Sequence, residues 1–450
     1  MAEPDTARDT ILYVGEMSVL SSSGEQAPSL LWRNQNGNIA LHPHSGNLSI
    51  GIVKPATRPH RWFDYDFGIV LTGRISGTRQ NIATPEIKGT GYFRELYAHV
   101  RLYIVDITAG IHPVQYGPGD SELGSGSLLF SNNIHPIPRI TIGFDRWTPI
   151  PGLFGYVEVK GCLTHGWLAD NNPYVAKTLL HHKFLGLRLG GKLPVNLSYE
   201  YHHAAQWGGY GEGHIDYGND FASFKNVFLG RRGGATISDQ LNAQGNHIIS
   251  QTLNLTIKGT GWHVDMYWQD LQEDGGFKII GSRVNSKDGR WGISAIQDRW
   301  PFISGATFEV IQTTDQSGPW HDRDGMVFGG RDNYYGNGSY KQGWTYYGRT
   351  IGSALMTPSN NRIWAYHAGI KGDIYGFKYR ALFTYADNYG TYLSPTATHN
   401  SALMLEVKKH VEQAWGMDFG VRLAADFGSQ FGNRFGAMVT ISKRGIIHSY

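Results

Sequence analysis

The sequence alternates between apolar and polar residues with a period of two over long stretches. From residue 63 to residue 75 the odd-numbered positions are mostly aromatic or aliphatic, whereas Asp64, Asp66 and Arg74 stand among the even-numbered ones. The same alternation recurs at residues 94–104, 193–201, 375–385 and 415–427. A period of two predicts β-strands. Strands of about ten residues match the ~9–11 that a tilted strand needs to cross a bilayer, whereas globular strands average about 5–6.

The two faces of these strands differ in composition. One face is continuously aromatic and aliphatic, and the other mixes Asp, Arg, His and Gly. Such faces are typical of a barrel wall with a lipid-facing exterior and a polar interior. The 59 glycines, 13% aromatic residues and 17% charged residues argue against a disordered chain and against a helix bundle. We therefore predict an all-β fold, a transmembrane antiparallel β-barrel.

Charge and cysteine content exclude two further classes of protein. The net charge of +3, from 40 basic and 37 acidic residues, creates no strong field that would recruit nucleic acid, so we predict no nucleic-acid partner. The single cysteine, Cys162, forms neither an intramolecular disulfide nor a cysteine-based zinc site. The first residues lack a charged and then apolar leader, which indicates a cytoplasmic chain or a mature one. The barrel prediction favours the mature form.

Connection lengths support a barrel with two different rims. Short glycine-containing links at 190–192, 259–261 and 371–373 predict tight hairpins. Long polar segments at about 203–246, 313–361 and 386–400 predict loops. Tight periplasmic turns and long extracellular loops are typical of outer-membrane barrels. We assign the barrel to residues 61–450 and expect residues 1–60, which contain several prolines, to supply strands or a segment that plugs the barrel.

A compact motif lies between two of the predicted strands. It comprises a Tyr-Gly-Pro-Gly turn and a Ser-Asn-Asn segment, and its residues are Tyr116, Gly117, Pro118, Gly119, Ser131, Asn132 and Asn133. Proline fixes one backbone angle and the glycines free two others, while asparagine side chains satisfy backbone groups at turns. The motif either shapes a loop that plugs the barrel or places Tyr116, Asn132 and Asn133 in contact with a ligand.

The order and spacing of these residues resemble the Wzi capsule-assembly family, with its Y-G-P-G turn, S-L-x-L-S-x-N segment and proline-flanked strand entry. This sequence departs from the pattern by an insertion at 120–126 and by Phe130 before Ser131. The resemblance covers the overall plan from about residue 60 to 450. It implies an outer-membrane barrel of about 18 strands in a Gram-negative bacterium. It also implies a lectin that holds capsular polysaccharide at the cell surface, with loops and short helices that occlude the pore.

Candidate sugar-binding residues lie in the two longest loops. Sugar rings stack on flat aromatic faces, and their hydroxyls pair with planar amides, carboxylates and guanidiniums. We do not expect such aromatic-rich polar loops to be core. The candidates are Trp207, Tyr210, Trp320, His321, Asp322, Arg323, Tyr334, Tyr335 and Asn337. The alternative assigns Trp344, Tyr346 and Tyr347 to an aromatic girdle at the membrane interface.

The positions of the histidines and the absence of common catalytic motifs argue against a metal site and against an enzyme. Adjacent histidines at 181–182 and 202–203 point to opposite faces of a strand, so one strand does not present both to one metal ion. The chain contains no H-E-x-x-H, G-x-S-x-G or G-x-G-x-x-G motif. We predict no metal, no cofactor and no enzymatic activity.

The predicted function is that of a monomeric outer-membrane lectin whose partners are capsular or other surface polysaccharide and membrane lipid. One alternative is a diffusion channel for sugars whose lumen is lined by polar residues, namely Asp64, Arg74, Arg101, Lys378, Arg380 and Arg422. A second alternative is an outer-membrane hydrolase, since Ser198 and His202 share a strand face.

Overall fold

The computed structural model describes residues 9–56, 62–77, 87–170, 172–234, 240, 243–273, 287–324 and 326–450. Within these ranges eighteen strands form one closed antiparallel barrel, which confirms the predicted fold. The wall strands are β1 (Thr10–Ser22), β2 (His44–Lys54), β3 (Phe63–Gly77), β4 (Ile87–Leu102), β5 (Val105–Ile111), β6 (Pro138–Pro149), β7 (Val157–Leu168), β8 (Thr178–Leu189), β9 (Val195–Trp207), β10 (Asn246–Gly259), β11 (Trp262–Gln269), β12 (Gly289–Gln297), β13 (Gly305–Gln312), β14 (Ile363–Ile374), β15 (Phe377–Gly390), β16 (Pro395–Val411), β17 (Met417–Phe427) and β18 (Arg434–Ser449).

Few other elements accompany the wall in the described ranges. Gln272–Glu273 extends the wall beyond β11 by pairing with β10. The α-helices are α1 (Ser29–Trp32) and α2 (Phe221–Leu229). None of the helices in the described part of the chain has the length and apolar character needed to cross a membrane.

The barrel closes between its first and last strands. β18 pairs with β1 from Ser449 opposite Thr10 to Gly436 opposite Ser22. Every other wall strand pairs with its neighbours along the chain. Closure leaves no sheet edge with unpaired backbone groups, which is the condition for a sheet that lies in lipid.

The two faces of the wall carry the composition that the alternation predicts. On β8 the outward side chains Leu185, Leu187 and Leu189 are exposed, whereas the inward-facing Phe184 and Gly186 are buried. Exposed apolar side chains of this kind recur around the barrel. A wall that is apolar outside and polar inside is stable in a bilayer, because lipid contacts only the outer side chains.

The turns and loops segregate to two rims, called here the short-turn rim and the long-loop rim. The hairpins predicted at 190–192 and 259–261 are confirmed, since they join β8 to β9 and β10 to β11. The hairpin predicted at 371–373 is wrong. β14 continues through Gly372, and the chain turns at Tyr375 and Gly376, whose φ angles are 53° and 76°. Two successive left-handed residues match the twist of a two-residue hairpin.

The loop predicted at 386–400 is also wrong. β15 runs to Gly390 and β16 begins at Pro395, so that only residues 391–394 connect them. The polar residues in this stretch alternate with apolar ones and belong to the strands. The longest connections on the long-loop rim are residues 208–245 and 313–362.

The N-terminal region divides between wall and lumen. β1 and β2 are wall strands, and the segment between them folds inside the barrel with α1. Leu30 and Leu31 of α1 pack against Met404 of β16 and the inward face of neighbouring strands. Ser29 donates hydrogen bonds from its backbone N and its Oγ to the Asp426 carboxylate, both at 2.8 Å. The segment therefore fills one side of the lumen.

The main hydrophobic core lies inside the long-loop half of the barrel. Segments 112–137 and 313–362 fold inward and meet inward-facing wall residues such as Leu180 and Ile248. Below this core lies a polar cavity of about 900 Å³, whose lining includes Lys378 and Arg422. The core lies in the long-loop half of the lumen, while the cavity occupies the side of the short-turn rim.

Substitution of the turn glycine tests the assigned turn. Gly376→Ala places a Cβ in a left-handed conformation and should lower the free energy of unfolding by about 1–2 kcal/mol. Gly73→Ala is the matched control, because a Cβ at Gly73 meets no atom within 4 Å. Denaturant unfolding in lipid vesicles, followed by tryptophan fluorescence, measures the free energy of unfolding of both variants. Equal effects of the two substitutions would contradict the turn assignment.

Candidate carbohydrate-binding surface

A buried ion pair fixes the motif loop, residues 112–137, inside the barrel. Arg290 Nη1 lies 3.3 Å from Glu309 Oε1, and both side chains are buried. Arg290 also donates to the carbonyl oxygen of Gly126 at 2.7 Å. Glu309 Oε2 accepts from the backbone N of Ser125 at 2.7 Å, and its Oε1 accepts from Tyr267 Oη at 2.6 Å. The wall thus supplies both charges, and the loop contributes a hydrogen-bond partner to each of them.

The Gly-Pro-Gly turn passes close to the barrel wall. Gly117 and Gly119 have φ angles of 96° and 88°. A Cβ at Gly119 would stand 2.7 Å from Tyr267 Oη, so only glycine fits there without a shift. The carbonyl oxygen of Pro118 accepts from Arg290 Nη2 at 3.3 Å. The turn is therefore shaped by its contacts with the wall.

The other motif residues contact the interior of the barrel. Tyr116 packs edge-on against His182 with ring centroids 4.9 Å apart, and burial raises the pKa of its hydroxyl. Ser131 Oγ donates to the carbonyl oxygen of Gly352 at 2.6 Å, and Asn133 Nδ2 donates to that of Thr350 at 3.0 Å. These contacts bind the motif loop to segment 313–362.

Asn132 has a partly exposed side chain, unlike Ser131 and Asn133. Its Nδ2 donates to Gln115 Oε1 at 3.3 Å, and its carbonyl oxygen accepts from the backbone N of Asn36. It joins the motif loop to the N-terminal segment. The structure therefore gives the motif contacts within the plug, and ligand contact by Tyr116, Asn132 or Asn133 stays a prediction.

Several loop aromatics are core residues, contrary to the expectation from the sequence. Tyr334 and Tyr335 are fully buried, and their hydroxyls donate to Asp288 Oδ2 and to the carbonyl oxygen of Leu128. Trp344 is buried as well and donates from Nε1 to the carbonyl oxygen of Leu129 at 2.9 Å. The wide lumen offers apolar surface inside the barrel, and these rings fill it instead of facing solvent.

Three further aromatics differ in their surroundings. Tyr346 is buried in the same interior core, so neither it nor Trp344 belongs to a lipid-facing girdle. Tyr347 is exposed and donates from its hydroxyl to the carbonyl oxygen of Ala169 on the long-loop rim. Trp207 is buried on the outer face of β9 beneath α2. In this conformation neither Trp207 nor the buried tyrosines offers a ring face to a sugar.

One exposed aromatic surface forms around Trp320, and we call it the arginine–aromatic platform. It comprises Trp320, Arg331, Arg362 and Tyr392. The guanidinium of Arg331 lies 4.5 Å from the centre of the Trp320 ring, and that of Arg362 lies 4.0 Å from the Tyr392 ring. Trp320 is 54% exposed. Flat rings beside guanidinium groups are the chemistry that pyranose rings and their hydroxyls require.

The surroundings of the platform contain further candidates. His321 is exposed, and its Nε2 lies 2.8 Å from the carbonyl oxygen of Ser317. The side chains of Asp322 and Arg323 lie outside the described part of the structure. Sequence analysis missed Arg331, Arg362 and Tyr392. Tyr392 stands in the short connection after β15, and the pairing of β15 with β14 brings that connection next to the end of segment 313–362.

A second exposed surface forms around Tyr210, and we call it the tyrosine–lysine patch. It comprises Tyr174, Lys177, Tyr210 and Lys341. Lys177 Nζ lies 5.8 Å from the Tyr210 ring, and Lys341 Nζ lies 6.0 Å from the Tyr174 ring. Tyr210 is 40% exposed. Like the platform, the patch combines aromatic rings with cations, but its ring–cation distances are longer.

Asn337 has a structural position in the long loop. Its Oδ1 accepts from the backbone N of Ser339 and of Tyr340, each at 2.9 Å, and its Nδ2 donates to Asn246 Oδ1 at 3.2 Å. An asparagine that accepts from the two following amides fixes a turn. A role of Asn337 in binding stays a prediction.

Two of the histidines pair with neighbours inside the barrel. His202 Nε2 lies 3.1 Å from Glu200 Oε2, and the ring nitrogens of His182 and His202 are 3.1 Å apart. Across the described ranges, no group of three or more His, Cys, Asp or Glu residues is placed to hold a metal ion.

The buried carboxyl group of Asp288 makes the loop core sensitive to pH. Burial raises its pKa to about 6, although it accepts from Tyr334 Oη and two backbone amides. Because the folded pKa lies above the unfolded ~3.9, this group favours folding below pH ~4, and that contribution is lost as pH rises through 6.

As the pH falls from 7 to 4, we expect the free energy of unfolding of the native protein to rise by about 2–3 kcal/mol relative to that of Asp288→Asn. Thermal unfolding of both proteins in detergent across this range provides the measurement. Parallel pH profiles would show that Asp288 does not titrate in this window.

Comparisons with known proteins agree with this architecture. The family model described as capsule assembly protein Wzi matches residues 63–425. A solved structure described as Wzi, an outer membrane protein involved in group 1 capsule assembly in Escherichia coli and a carbohydrate-binding β-barrel, superposes with a TM-score of 0.63. The two are 14% identical, and the match covers 95% of this chain and 84% of that one.

Two solved structures from Pseudomonas aeruginosa align less well. OccK7 (OpdD) has a TM-score of 0.48 at 9% identity, covering 98% of this chain and 100% of that chain. OprD has a TM-score of 0.46 at 12% identity, covering 98% and 96%. None of the curated protein sequences matches this chain. The family model spans most of the chain and includes the plug motif, and the chain therefore belongs to the Wzi family of capsule assembly proteins.

Proposed function

We propose that this protein is an outer-membrane lectin of a Gram-negative bacterium that binds capsular or other surface polysaccharide and holds it at the cell surface. The proposal is carried by the contrast between the lumen under the long-loop rim and the exposed surface of that rim. The lumen beneath it is filled by a hydrophobic core, whereas aromatic rings and cations remain exposed on it.

The membrane location follows from the wall. Its outward face exposes leucine, isoleucine and phenylalanine side chains along most strands. Such a surface is stable in a bilayer and aggregates in water. With the family membership and the description of the Escherichia coli relative as an outer membrane protein, it supports an outer-membrane location with the long-loop rim facing outward.

The arginine–aromatic platform is the first candidate for glycan contact. Trp320 offers an exposed ring for the C–H face of a sugar, and the adjacent guanidiniums offer several N–H donors. The tyrosine–lysine patch offers a second contact on a different pair of connections. A polymer that engages many copies gains avidity from weak single sites. No reaction is needed for this role, and a monomer suffices.

A diffusion channel is the competing function. Of the six polar residues predicted to line the lumen, Lys378, Arg380 and Arg422 line the cavity. The cavity lies below the core, however, and the contacts of Arg290 and Glu309 hold the motif loop across the lumen. A closed lumen favours binding at the surface over passage through the barrel.

Substitution of Trp320 tests the proposed contact. Trp320→Ala should weaken binding of short fragments of the source organism's capsular polysaccharide by about fivefold, because one stacking contact contributes about 1 kcal/mol. Calorimetric titration of the purified barrel in detergent gives the affinity. Tyr210→Ala, measured in the same way, shows whether the second patch contributes.

Trp300→Ala is the matched control, since Trp300 is exposed to a similar extent, 63%, but lies on the short-turn rim. We expect it to bind like the native protein. If both tryptophan variants bind equally well, the platform is not the site. If the native protein binds no fragment of any surface polysaccharide, the lectin proposal itself fails.

A further inference from the structure

Helix α2 lies on the outside of the barrel wall. Its Val227 and Phe224 pack against Ala205 and Trp207 of β9. These two wall residues point to the same side as Leu197, which is exposed on the apolar outer face of the same strand. The described residues 208–234 therefore leave the long-loop rim and place α2 along the outer surface.

The helix covers polar residues that would otherwise face lipid. On the outer side of β8, Lys183 donates to the carbonyl oxygen of Phe228, and its Nζ lies 3.8 Å from that ring. The His181 ring lies 5.7 Å from Phe224 and 5.4 Å from Phe228. The next outward residue toward the short-turn rim is the exposed Leu185. α2 thus lies where the apolar surface of β8 ends.

The ends of α2 are fixed by its own sequence. Asp220 Oδ1 accepts from the backbone N of Ser223 at 2.7 Å and caps the first turn. Gly230 ends the helix with a φ angle of 62° and donates to the carbonyl oxygen of Val227. A capped short helix held against the wall has a defined outward face.

That outward face combines apolar side chains with cations. Phe221 is 73% exposed and Leu229 is 52% exposed. Lys225 is exposed with its Nζ 5.6 Å from the Phe221 ring, and Arg231 and Arg232 follow directly after the helix and are exposed. Exposed aromatic and aliphatic residues beside lysine and arginine are typical of helices that lie in the interface of a membrane.

We propose that α2 and residues 230–232, called here the collar helix, bind the anionic, phosphate-bearing headgroups of lipids in the leaflet that surrounds the long-loop rim. The apolar side chains reach the acyl boundary, and the three cations pair with phosphate oxygens. The net charge of the chain is only +3, but three exposed cations lie close together along the sequence here.

The collar helix is distinct from the proposed glycan surfaces. It shares no residue with the platform or the patch, and it faces lipid rather than solvent. The inference rests on the proposed membrane location and not on glycan binding. Loss of one activity therefore leaves the other measurable.

Lipid adducts of the purified barrel provide the test. In neutral detergent, native mass spectrometry compares phosphatidylglycerol with phosphatidylcholine of the same acyl chains. We expect several times more phosphatidylglycerol bound to the native protein. The triple variant Lys225→Gln, Arg231→Gln, Arg232→Gln should lose that preference by about tenfold or more, since each cation near a lipid surface contributes about fivefold.

The matched control removes three exposed cations at the short-turn rim: Lys192→Gln, Lys258→Gln and Arg299→Gln. This control variant changes the net charge by the same amount as the test variant and should retain the preference for phosphatidylglycerol. Equal loss in both triple variants would overturn the proposal, because it would reflect total charge alone. Soluble glycerol phosphate that binds as tightly as the lipid would also overturn it.

A further variant tests the apolar part of the collar helix. Phe221→Ser keeps all three cations and should reduce lipid adducts while leaving the affinity for glycan fragments unchanged. Circular dichroism and heat-dependent gel mobility show that each variant retains the folded barrel. Unchanged adducts in a folded Phe221→Ser variant would contradict insertion of the helix into the interface.

Discussion

A sheet in lipid has to pair every backbone N–H and C=O within itself, because no water is available to replace a missing partner. Pairing of β18 with β1 meets this requirement, and the rest of the molecule follows from it. Closure with so many strands creates a wide lumen, and alternation directs polar side chains into it. A wide lumen has to be filled by side chains and loops or left as a channel.

This chain fills the long-loop half of its lumen. The N-terminal segment packs against one side of the wall, and the motif loop and segment 313–362 pack against each other in the middle. The buried pair Arg290 and Glu309 connects this interior core to β12 and β13, and one partner without the other would be an unpaired buried charge. The interior core supports the connections that remain outside, so that exposed rings such as Trp320 stand on a rigid base.

The sequence predicted the wall strands well, because alternation with a period of two is visible within a few consecutive residues. Contact with lipid requires the outward residues to be apolar and so keeps this alternation regular. It did not predict the turn at Tyr375 and Gly376, since polar residues occur on the inner face of these strands as well as in turns. It placed Tyr334 and Tyr335 at the surface because burial inside a barrel depends on which loops fold inward. The partnership of Trp320, Arg331 and Tyr392 depends on strand order around the barrel, and no local pattern encodes it.

We propose that the interior core closes the barrel and that the protein acts at its surface. Conductance of the purified protein in planar bilayers tests this most directly. We expect no steady steps from the native barrel. Glu309→Ala should produce intermittent steps, since the unpaired Arg290 destabilises the plug by about 3–5 kcal/mol. Steady, ohmic steps from the native protein would contradict the account and favour a diffusion channel.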